Sequence, residues 1–211
     1  MSHYYDENPT AKSDKKVITY RSNGTNFEFV TDTNVFSRNE IDYGSDFLLN
    51  CMIEDLKQDK RLTSGKKFLD LGCGYGPVGI VMKSVFKGLV VTQTDVNERA
   101  VNLAKVNANN NRIPIHDLKQ GSVMEHFRED EMFDIVATNP PVRAGKAIVF
   151  AFYEQAYKHM NEGGMIYVVL QRKQGAPSTE KKLQELFGNC ETMGVSSGYR
   201  VMKSIKKSDN E

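Results

Sequence analysis

The fold of this chain is decided by the stretch Asp70-Leu-Gly-Cys-Gly-Tyr-Gly-Pro-Val-Gly79. The stretch starts at the end of an apolar run that begins at residue 66. Glycines directly after a strand let a ligand approach the main chain, and Pro77 stands where a helix tolerates proline best, in its first turn. In parallel α/β sheets the first strand-to-helix turn binds a nucleotide-like cofactor in this way. The stretch therefore predicts such a cofactor at the carboxyl edge of a parallel sheet.

Short apolar runs alternate with helical segments through the rest of the chain. The predicted strands lie at residues 66–71, 89–94, 113–118, 133–138 and 164–170. The predicted helices lie near residues 77–86, 97–110, 146–160 and 178–187. This alternation is typical of right-handed βαβ crossovers and predicts an α/β fold with a doubly wound, mostly parallel sheet. The segments 191–195 and 199–205, joined by Ser-Ser-Gly, predict an antiparallel pair at its end.

A hairpin and a helix are predicted ahead of the sheet. Residues 17–21 and 26–30 are rich in β-forming side chains and flank Ser22-Asn-Gly-Thr25, where Asn-Gly supplies the positive φ angles of a tight turn. Residues 44–56 carry apolar side chains at helical spacing, and Asp42 or Ser45 is available to cap the first turn.

Length and composition bound the class of protein. The 211 residues suit one domain, which we place at residues 17–207 between a flexible lead-in, 1–16, and a short tail, 208–211. With 28 Lys and Arg against 27 Asp and Glu, the net charge of +1 excludes a strong overall basic field. Three scattered cysteines and the lack of a leader or apolar span predict a soluble cytoplasmic protein without a metal site.

Two acidic residues help to choose the cofactor. Asp70 immediately precedes the glycines, where its carboxylate would repel a pyrophosphate and attract a cation, which favours S-adenosylmethionine over NAD. Asp95 ends the second predicted strand, where an acidic side chain accepts hydrogen bonds from ribose hydroxyls, although it could instead cap the helix that begins near Asn97. Gly74, Gly76 and Gly79 also match Gly-x-Gly-x-x-Gly, so an NAD-dependent oxidoreductase stays open.

A third segment, Gly121-Ser-Val123, follows the third predicted strand and is placed to flank an adenine ring, unless it is an ordinary turn. The candidate cofactor-binding residues are Asp70, Gly72, Cys73, Gly74, Gly76, Asp95, Val96, Ser122, Val123 and Asn139.

The segment Asn139-Pro140-Pro141 follows the fourth predicted strand and so lies at the same edge as the glycines. Consecutive prolines hold φ near about −65° and give rigid carbonyl acceptors. An amide or a purine amine is a poor nucleophile because its lone pair is delocalised. If the Asn139 side-chain oxygen and the Pro140 carbonyl accept its two hydrogens, the nitrogen becomes tetrahedral as a methyl group arrives. The candidate catalytic residues are therefore Asn139, Pro140 and Pro141, the alternative being a stiffened loop.

These segments resemble those of class I S-adenosylmethionine-dependent methyltransferases, and more narrowly the small-domain ribosomal RNA guanine-N2 methyltransferases (RsmC-like family). The resemblance covers residues 17–207 and includes Thr94–Ala100, Asn139–Lys146 and Val35–Ser45. It implies a Rossmann-like methyltransferase fold with seven strands, the last antiparallel, and methylation of a guanine amine in ribosomal RNA. The cofactor contacts that it implies are Asp70, Gly72, Gly74, Asp95 and Asn139.

The chain departs from many amine methyltransferases at Val142, where they carry an aromatic residue that stacks on the base. We expect Phe36 or the guanidinium of Arg143 to clamp the base instead. The candidate substrate-binding residues are Phe36, Val142, Arg143 and Lys146, with further RNA contacts predicted at Arg38, Arg172 and Lys173. The expected partner is ribosomal RNA or the small ribosomal subunit, engaged by a monomer or a homodimer.

Alternatives to this function remain at the level of sequence. A protein-glutamine or an adenine amine methyltransferase would use the same Asn-Pro-Pro segment. The NAD-dependent oxidoreductase and a binding module that keeps the cofactor without turnover belong to other classes.

Overall fold

The computed structural model describes residues 12–208. Most of the expected lead-in and tail, residues 1–11 and 209–211, lies outside the described residues, and the single domain at 17–207 stays a prediction. The strands are β1 (Lys16–Ser22), β2 (Thr25–Thr31), β3 (Lys67–Leu71), β4 (Val90–Asp95), β5 (Asp117–Gln120), β6 (Phe133–Thr138), β7 (Met160–Gln171), β8 (Glu191–Ser196) and β9 (Tyr199–Ile205). The α-helices are α1 (Tyr43–Leu56), α2 (Pro77–Val85), α3 (Glu98–Asn110), α4 (Lys146–Lys158) and α5 (Ala176–Phe187).

The central sheet has seven strands in the order β5-β4-β3-β6-β7-β9-β8. The first five of these are parallel, β9 is antiparallel to β7, and β8 is antiparallel to β9. This confirms the predicted α/β fold, its mostly parallel sheet and its antiparallel end. The strand order reverses between β3 and β6, because β4 and β5 lie on one side of β3 and the chain then returns to place β6 on the other side. Such a point of reversal is where α/β sheets bind ligands.

Helices cover both faces of the sheet. Successive strand residues point to opposite faces, so neighbouring residues of one strand pack against different helices. Phe68 packs in the core cluster that contains Leu48 of α1 and Leu103 of α3, whereas Leu69 packs in the cluster that contains Phe152 of α4 and Leu183 of α5. No helix within residues 12–208 is long and apolar enough to cross a bilayer.

The hairpin of β1 and β2 turns at Asn23 and Gly24 with φ of 46° and 79°, as the Asn-Gly signal predicts. Asn107 of α3 and Asn111, which caps the end of that helix, form hydrogen bonds with the main chain of β2. The Asn107 Oδ1 accepts from the main-chain N–H of Val30 at 2.7 Å, and its Nδ2 donates to the Val30 carbonyl at 3.0 Å. Asn111, one turn later, repeats this pair of bonds with Glu28. The hairpin is thereby attached to the sheet domain, and the segment that follows it reaches the carboxyl edge.

Some predicted elements have different bounds in the structure. The strand expected at 113–118 lies too early in the chain, since β5 runs from Asp117 to Gln120 and pairs with β4 only from Asp117 onward. Ile113 and Ile115 are apolar because they pack against the core as connecting chain. The helix expected to reach residue 160 ends at Lys158, and Met160 already pairs with β6.

Candidate active site

A cavity of about 450 Å³ opens at the carboxyl edge of the sheet. The structure brings most of the predicted site residues to its wall. The predicted cofactor residues that line it are Asp70, Gly72, Cys73, Gly74, Asp95, Val96, Ser122, Val123 and Asn139. The predicted catalytic and substrate residues that line it are Asn139, Pro140, Pro141, Phe36, Val142 and Arg143.

The glycine segment turns sharply over the ends of β3 and β4. Gly72 and Gly74 have φ of 77° and 55°, a region that side chains rarely adopt. The main-chain N–H groups of Gly72 and Cys73 both donate to the Thr94 carbonyl at 2.9 Å. A Cβ at Gly74 would meet no atom within 4 Å, so this glycine leaves its main chain open to the cavity.

Asp70 lies beneath this turn and is 3% exposed. Its Oδ2 accepts from the Gly79 N–H and from the Gln93 Nε2, each at 2.8 Å, which ties β3 to the start of α2. Burial raises the pKa of Asp70 to about 6, and the neighbouring charge of Asp95 adds to the rise. Gln93, a buried polar residue of β4, was not identified from sequence.

Asp95 is also held by main-chain donors. Its Oδ2 accepts from the Gly74 N–H at 2.8 Å and its Oδ1 accepts from the Asn97 N–H at 2.9 Å, while burial raises its pKa. The alternative in which Asp95 caps the following helix is wrong, because the Asn97 side chain caps α3 by accepting from the Ala100 N–H. The free lone pairs of the Asp95 carboxylate are thus left to the cavity.

The charges around the cavity suit a cationic ligand. Asp42, Asp70 and Asp95 line it, and among the described residues Arg143 is its one basic side chain. The charge of Asp95 raises the pKa of buried Asp70, so a positive charge that binds between the two carboxylates stabilises them, whereas a pyrophosphate would add repulsion. The residues present therefore fit the ammonium and sulfonium groups of S-adenosylmethionine better than a dinucleotide.

The Asn139 side chain is fixed by two residues of another element. Its Nδ2 donates to Asp42 Oδ2 at 2.9 Å and to Ser45 Oγ at 3.0 Å. Both N–H groups of the amide are therefore used, and Oδ1 is left as an acceptor. From sequence, Asp42 and Ser45 were predicted as helix caps and lay within the family-like segment Val35–Ser45, without a link to Asn139. The signal that could have identified them is the Asp-x-Gly-Ser spacing within residues 35–45.

The two prolines are shaped by a tight turn. Pro141 has φ −74° and ψ 78°, the geometry of an inverse γ-turn, and the Val142 N–H donates to the Pro140 carbonyl at 2.8 Å. The predicted acceptor role of Pro140 therefore depends on the second lone pair of that oxygen. Pro140 is buried and its carbonyl cannot turn away, because the γ-turn and the proline ring both restrain it.

Two predicted site residues lie outside the cavity lining. Gly76 adopts φ of 92° at the start of α2, and a Cβ there would lie 3.0 Å from that of Ala104, so this glycine serves close helix packing. The Lys146 Nζ lies 5.0 Å from the ring centre of Phe150 on α4. Arg38, a predicted RNA contact, instead forms an ion pair with Asp14.

Further residues of the cavity wall were not identified from sequence. Gln171 ends β7 and pairs in register with Tyr199, which begins β9, and both line the cavity together with Gln174. The only sequence signal among them was that Gln171 is a polar residue directly after an apolar run. Among residues 12–208, no three His, Cys, Asp or Glu side chains lie together as a metal ion would require.

Comparisons with known proteins agree with this geometry. The chain is 38% identical to the uncharacterized protein YbxB of Bacillus subtilis (strain 168), over 97% of this chain and 98% of that protein. It is 29% identical to the ribosomal RNA large subunit methyltransferase G of Shewanella sp. (strain W3-18-1), over 91% of this chain and 50% of that protein. The chain thus spans about half the length of that relative.

Among solved structures, the T. thermophilus 16S rRNA N2 G1207 methyltransferase (RsmC), in complex with AdoMet and guanosine, superposes with a TM-score of 0.83. It is 27% identical and matches 94% of this chain and 52% of its own. The sequence model described as "Methyltransferase small domain" matches residues 26–203. The chain belongs to the methyltransferase small domain family.

Proposed function

We propose that this protein transfers a methyl group from S-adenosylmethionine to the exocyclic amine of a guanine in ribosomal RNA. Family membership favours methyl transfer over the oxidoreductase alternative. The relatives named for ribosomal RNA methylation, and the neighbour that holds AdoMet and guanosine, support the cofactor and the substrate class. This chain covers about half of the length of those ribosomal RNA methyltransferases, so the RNA target is proposed for it and is not taken over from them.

The observation that carries the proposal is the orientation of the Asn139 amide. Its Oδ1 is the group left to accept a hydrogen from an incoming amine, since both N–H groups are used by Asp42 and Ser45. The second hydrogen of the amine is accepted by the free lone pair of the Pro140 carbonyl. These two bonds draw the amine nitrogen toward tetrahedral geometry and free its lone pair, so that no strong base is needed.

The other predicted site residues would hold the cofactor. S-adenosylmethionine, when bound, supplies an electrophilic methyl group on its sulfonium. Asp70 and the main chain of Gly72 and Gly74 would hold its methionyl portion, and Asp95 would accept from the ribose hydroxyls. With the cofactor bound, these residues would hold the amine nitrogen in line with the methyl carbon, so that the new nitrogen–carbon bond replaces the carbon–sulfur bond, S-adenosylhomocysteine leaves, and the proton lost by the methylated nitrogen passes to solvent water. Holding the two reactants in line supplies much of the acceleration.

The test is methylation of transcribed small- and large-subunit ribosomal RNA and of purified subunits with tritiated S-adenosylmethionine, followed by nucleoside mass spectrometry. We expect N2-methylguanosine with the wild-type protein and its formation to be about 10²- to 10³-fold slower with Asn139→Ala. Label confined to protein, or N6-methyladenosine as the product, would contradict the proposal. Calorimetry with S-adenosylhomocysteine, run in parallel, tells a wrong substrate from a wrong cofactor.

A further inference from the structure

We propose that Asp42 and Ser45, at the start of α1, are positioning residues that set which atom of the Asn139 amide faces the reacting amine. The inference rests on the proposed methyl transfer to an amine and assigns it two further residues. They lie 97 and 94 positions from Asn139 in the chain.

The chemistry of Asp42 determines the orientation. An ionised carboxylate can only accept hydrogen bonds, so Asp42 Oδ2 stabilises the amide with Nδ2 toward it, at 2.9 Å. If the amide of Asn139 rotated by half a turn, Oδ1 would face that carboxylate oxygen without a hydrogen between them. An N–H would then point to the cavity, and this group could not accept from an amine. Ser45 Oγ, at 3.0 Å, takes the second N–H.

Asp42 and Ser45 are themselves held firmly in place at the start of α1. Asp42 Oδ2 also accepts from the Ser45 N–H at 3.0 Å and so caps α1. Ser45 is 8% exposed, and α1 is anchored in the core by Leu48, which is fully buried. A Cβ at Gly44 would lie 2.8 Å from the Tyr199 ring and 2.9 Å from Asp42 Oδ2, so the spacing between the two residues admits only glycine without rearrangement.

Asp42 also acts through its charge. A hydrogen bond from a neutral amide N–H to a carboxylate polarises the amide, which makes its oxygen a stronger acceptor. The positive charge that develops on the attacked amine nitrogen is then stabilised by Asn139 Oδ1 and, at longer range, by Asp42 itself. Geometry and charge can be separated, because asparagine at position 42 keeps an acceptor oxygen and removes the charge.

The experiment compares Ser45→Ala, Asp42→Asn, Asp42→Ala and the double alanine variant. Asp59→Ala is the matched control, since Asp59 caps the short helix Lys60–Leu62 and does not line the cavity. Three quantities are measured: the single-turnover rate of methyl transfer to transcribed ribosomal RNA, the dissociation constant of S-adenosylhomocysteine, and the nitrogen-15 side-chain amide signal of Asn139. Asn139→Ala assigns that signal by removing it.

We expect the rate to fall about 5- to 10-fold in Ser45→Ala and about 100-fold in the double variant, as for loss of oriented polar groups. Asp42→Asn should recover most of the loss seen in Asp42→Ala. S-adenosylhomocysteine has no sulfonium charge for Asp42 to attract, so its dissociation constant should stay within about twofold, and Asp59→Ala should change neither quantity. The Asn139 signal should shift in each variant that loses a contact.

An unchanged rate in the double variant, with Asn139→Ala inactive, would overturn the inference. An unchanged Asn139 signal would overturn it whatever the rate, because the amide would then be held by other groups. If the wild-type protein methylates no RNA, the proposed function fails while the Asn139 signal still decides whether Asp42 and Ser45 orient the amide. Should Asp42→Ala fail to fold, Ser45→Ala and Asp42→Asn carry the same comparison.

Discussion

The cavity has two halves that are built in different ways. In the glycine half, Asp70 and Asp95 accept from main-chain N–H groups of Gly79 and Gly74, only 9 and 21 positions away. In the asparagine half, Asn139 is held by side chains more than 90 positions away. One half is therefore the product of the single unit β3-α2-β4, and the other exists only after the start of α1 has packed against the segment that follows β6.

This difference separates the expected roles of the halves. Groups of the glycine half are assigned to the cofactor and should therefore govern cofactor affinity. Groups of the asparagine half orient one amide and should govern the rate of the chemical step. Variants in each half should thus change different measured quantities.

The largest effect is expected at the centre of the asparagine half. Asn139→Ala removes the acceptor that we assign to the amine, and we expect the single-turnover rate of methyl transfer to fall about 10²- to 10³-fold. The dissociation constant of S-adenosylhomocysteine, measured by calorimetry, should change by less than about threefold. A comparable loss of cofactor affinity would merge the two halves and contradict the comparison.

The second effect belongs to the glycine half. Asp95→Asn keeps one acceptor oxygen but loses the charge that we assign to the ribose hydroxyls, so S-adenosylhomocysteine should bind about 10- to 100-fold more weakly. The rate at saturating cofactor should stay near that of the wild type. Asp134→Asn is the matched control, because Asp134 also accepts a main-chain N–H, from Lys67, at the opposite edge of the sheet. Equal weakening in both variants would point to general destabilisation.

The same contrast explains what could be predicted from the sequence. The glycine turn, Asp70 and Asp95 are local, since strand periodicity and turn chemistry place them at one sheet edge without knowledge of the rest. The seven-stranded sheet follows from the same alternation and is confirmed. Asn139 was identified from its own segment, but the bonds of its amide were not.

The missed features all depend on packing between distant segments. Asp42 has an ordinary capping pattern, and nothing local shows that its carboxylate also faces Asn139. Gln171 and Tyr199 meet only because β9 inserts between β7 and β8. Gly76 was assigned to the cofactor by its motif, whereas its missing side chain makes room for Ala104. A glycine pattern records where side chains are absent but does not record which neighbour needs the space.

The third prediction tests whether the buried charge of Asp70 lowers the stability of the free protein. The pKa of Asp70 is raised from 3.8 to about 6, so its contribution to stability is complete below 3.8 and is lost as the pH rises through about 6. Asp70→Asn is neutral at every pH and can keep the bonds from Gly79 and Gln93. We expect the free energy of unfolding in urea, near neutral pH, to rise by on the order of 2 to 3 kcal/mol.

The same variant should bind S-adenosylhomocysteine about tenfold more weakly, because the ammonium group loses its carboxylate. In the wild type this affinity should fall as the pH drops below about 6, and in Asp70→Asn it should not. The gain in stability should vanish at pH values below 3.8, where both side chains are neutral. A variant that is destabilised near neutral pH would show that the Asp70 charge is well compensated in the free protein.

The smallest effect is expected at the rim of the asparagine half, where exposed Arg143 follows the two prolines and lines the cavity. A single phosphate contact contributes little affinity but releases counterions, so Arg143→Gln should weaken RNA binding about threefold and reduce the slope of log affinity against log salt by about one. Arg128→Gln is the control, because Arg128 forms an ion pair with Asp130 and does not line the cavity. Filter binding over a range of salt concentrations measures both slopes. A changed affinity for S-adenosylhomocysteine with an unchanged salt slope would assign Arg143 to the cofactor. Arg143 would then belong functionally to the glycine half, although it follows the two prolines in the chain.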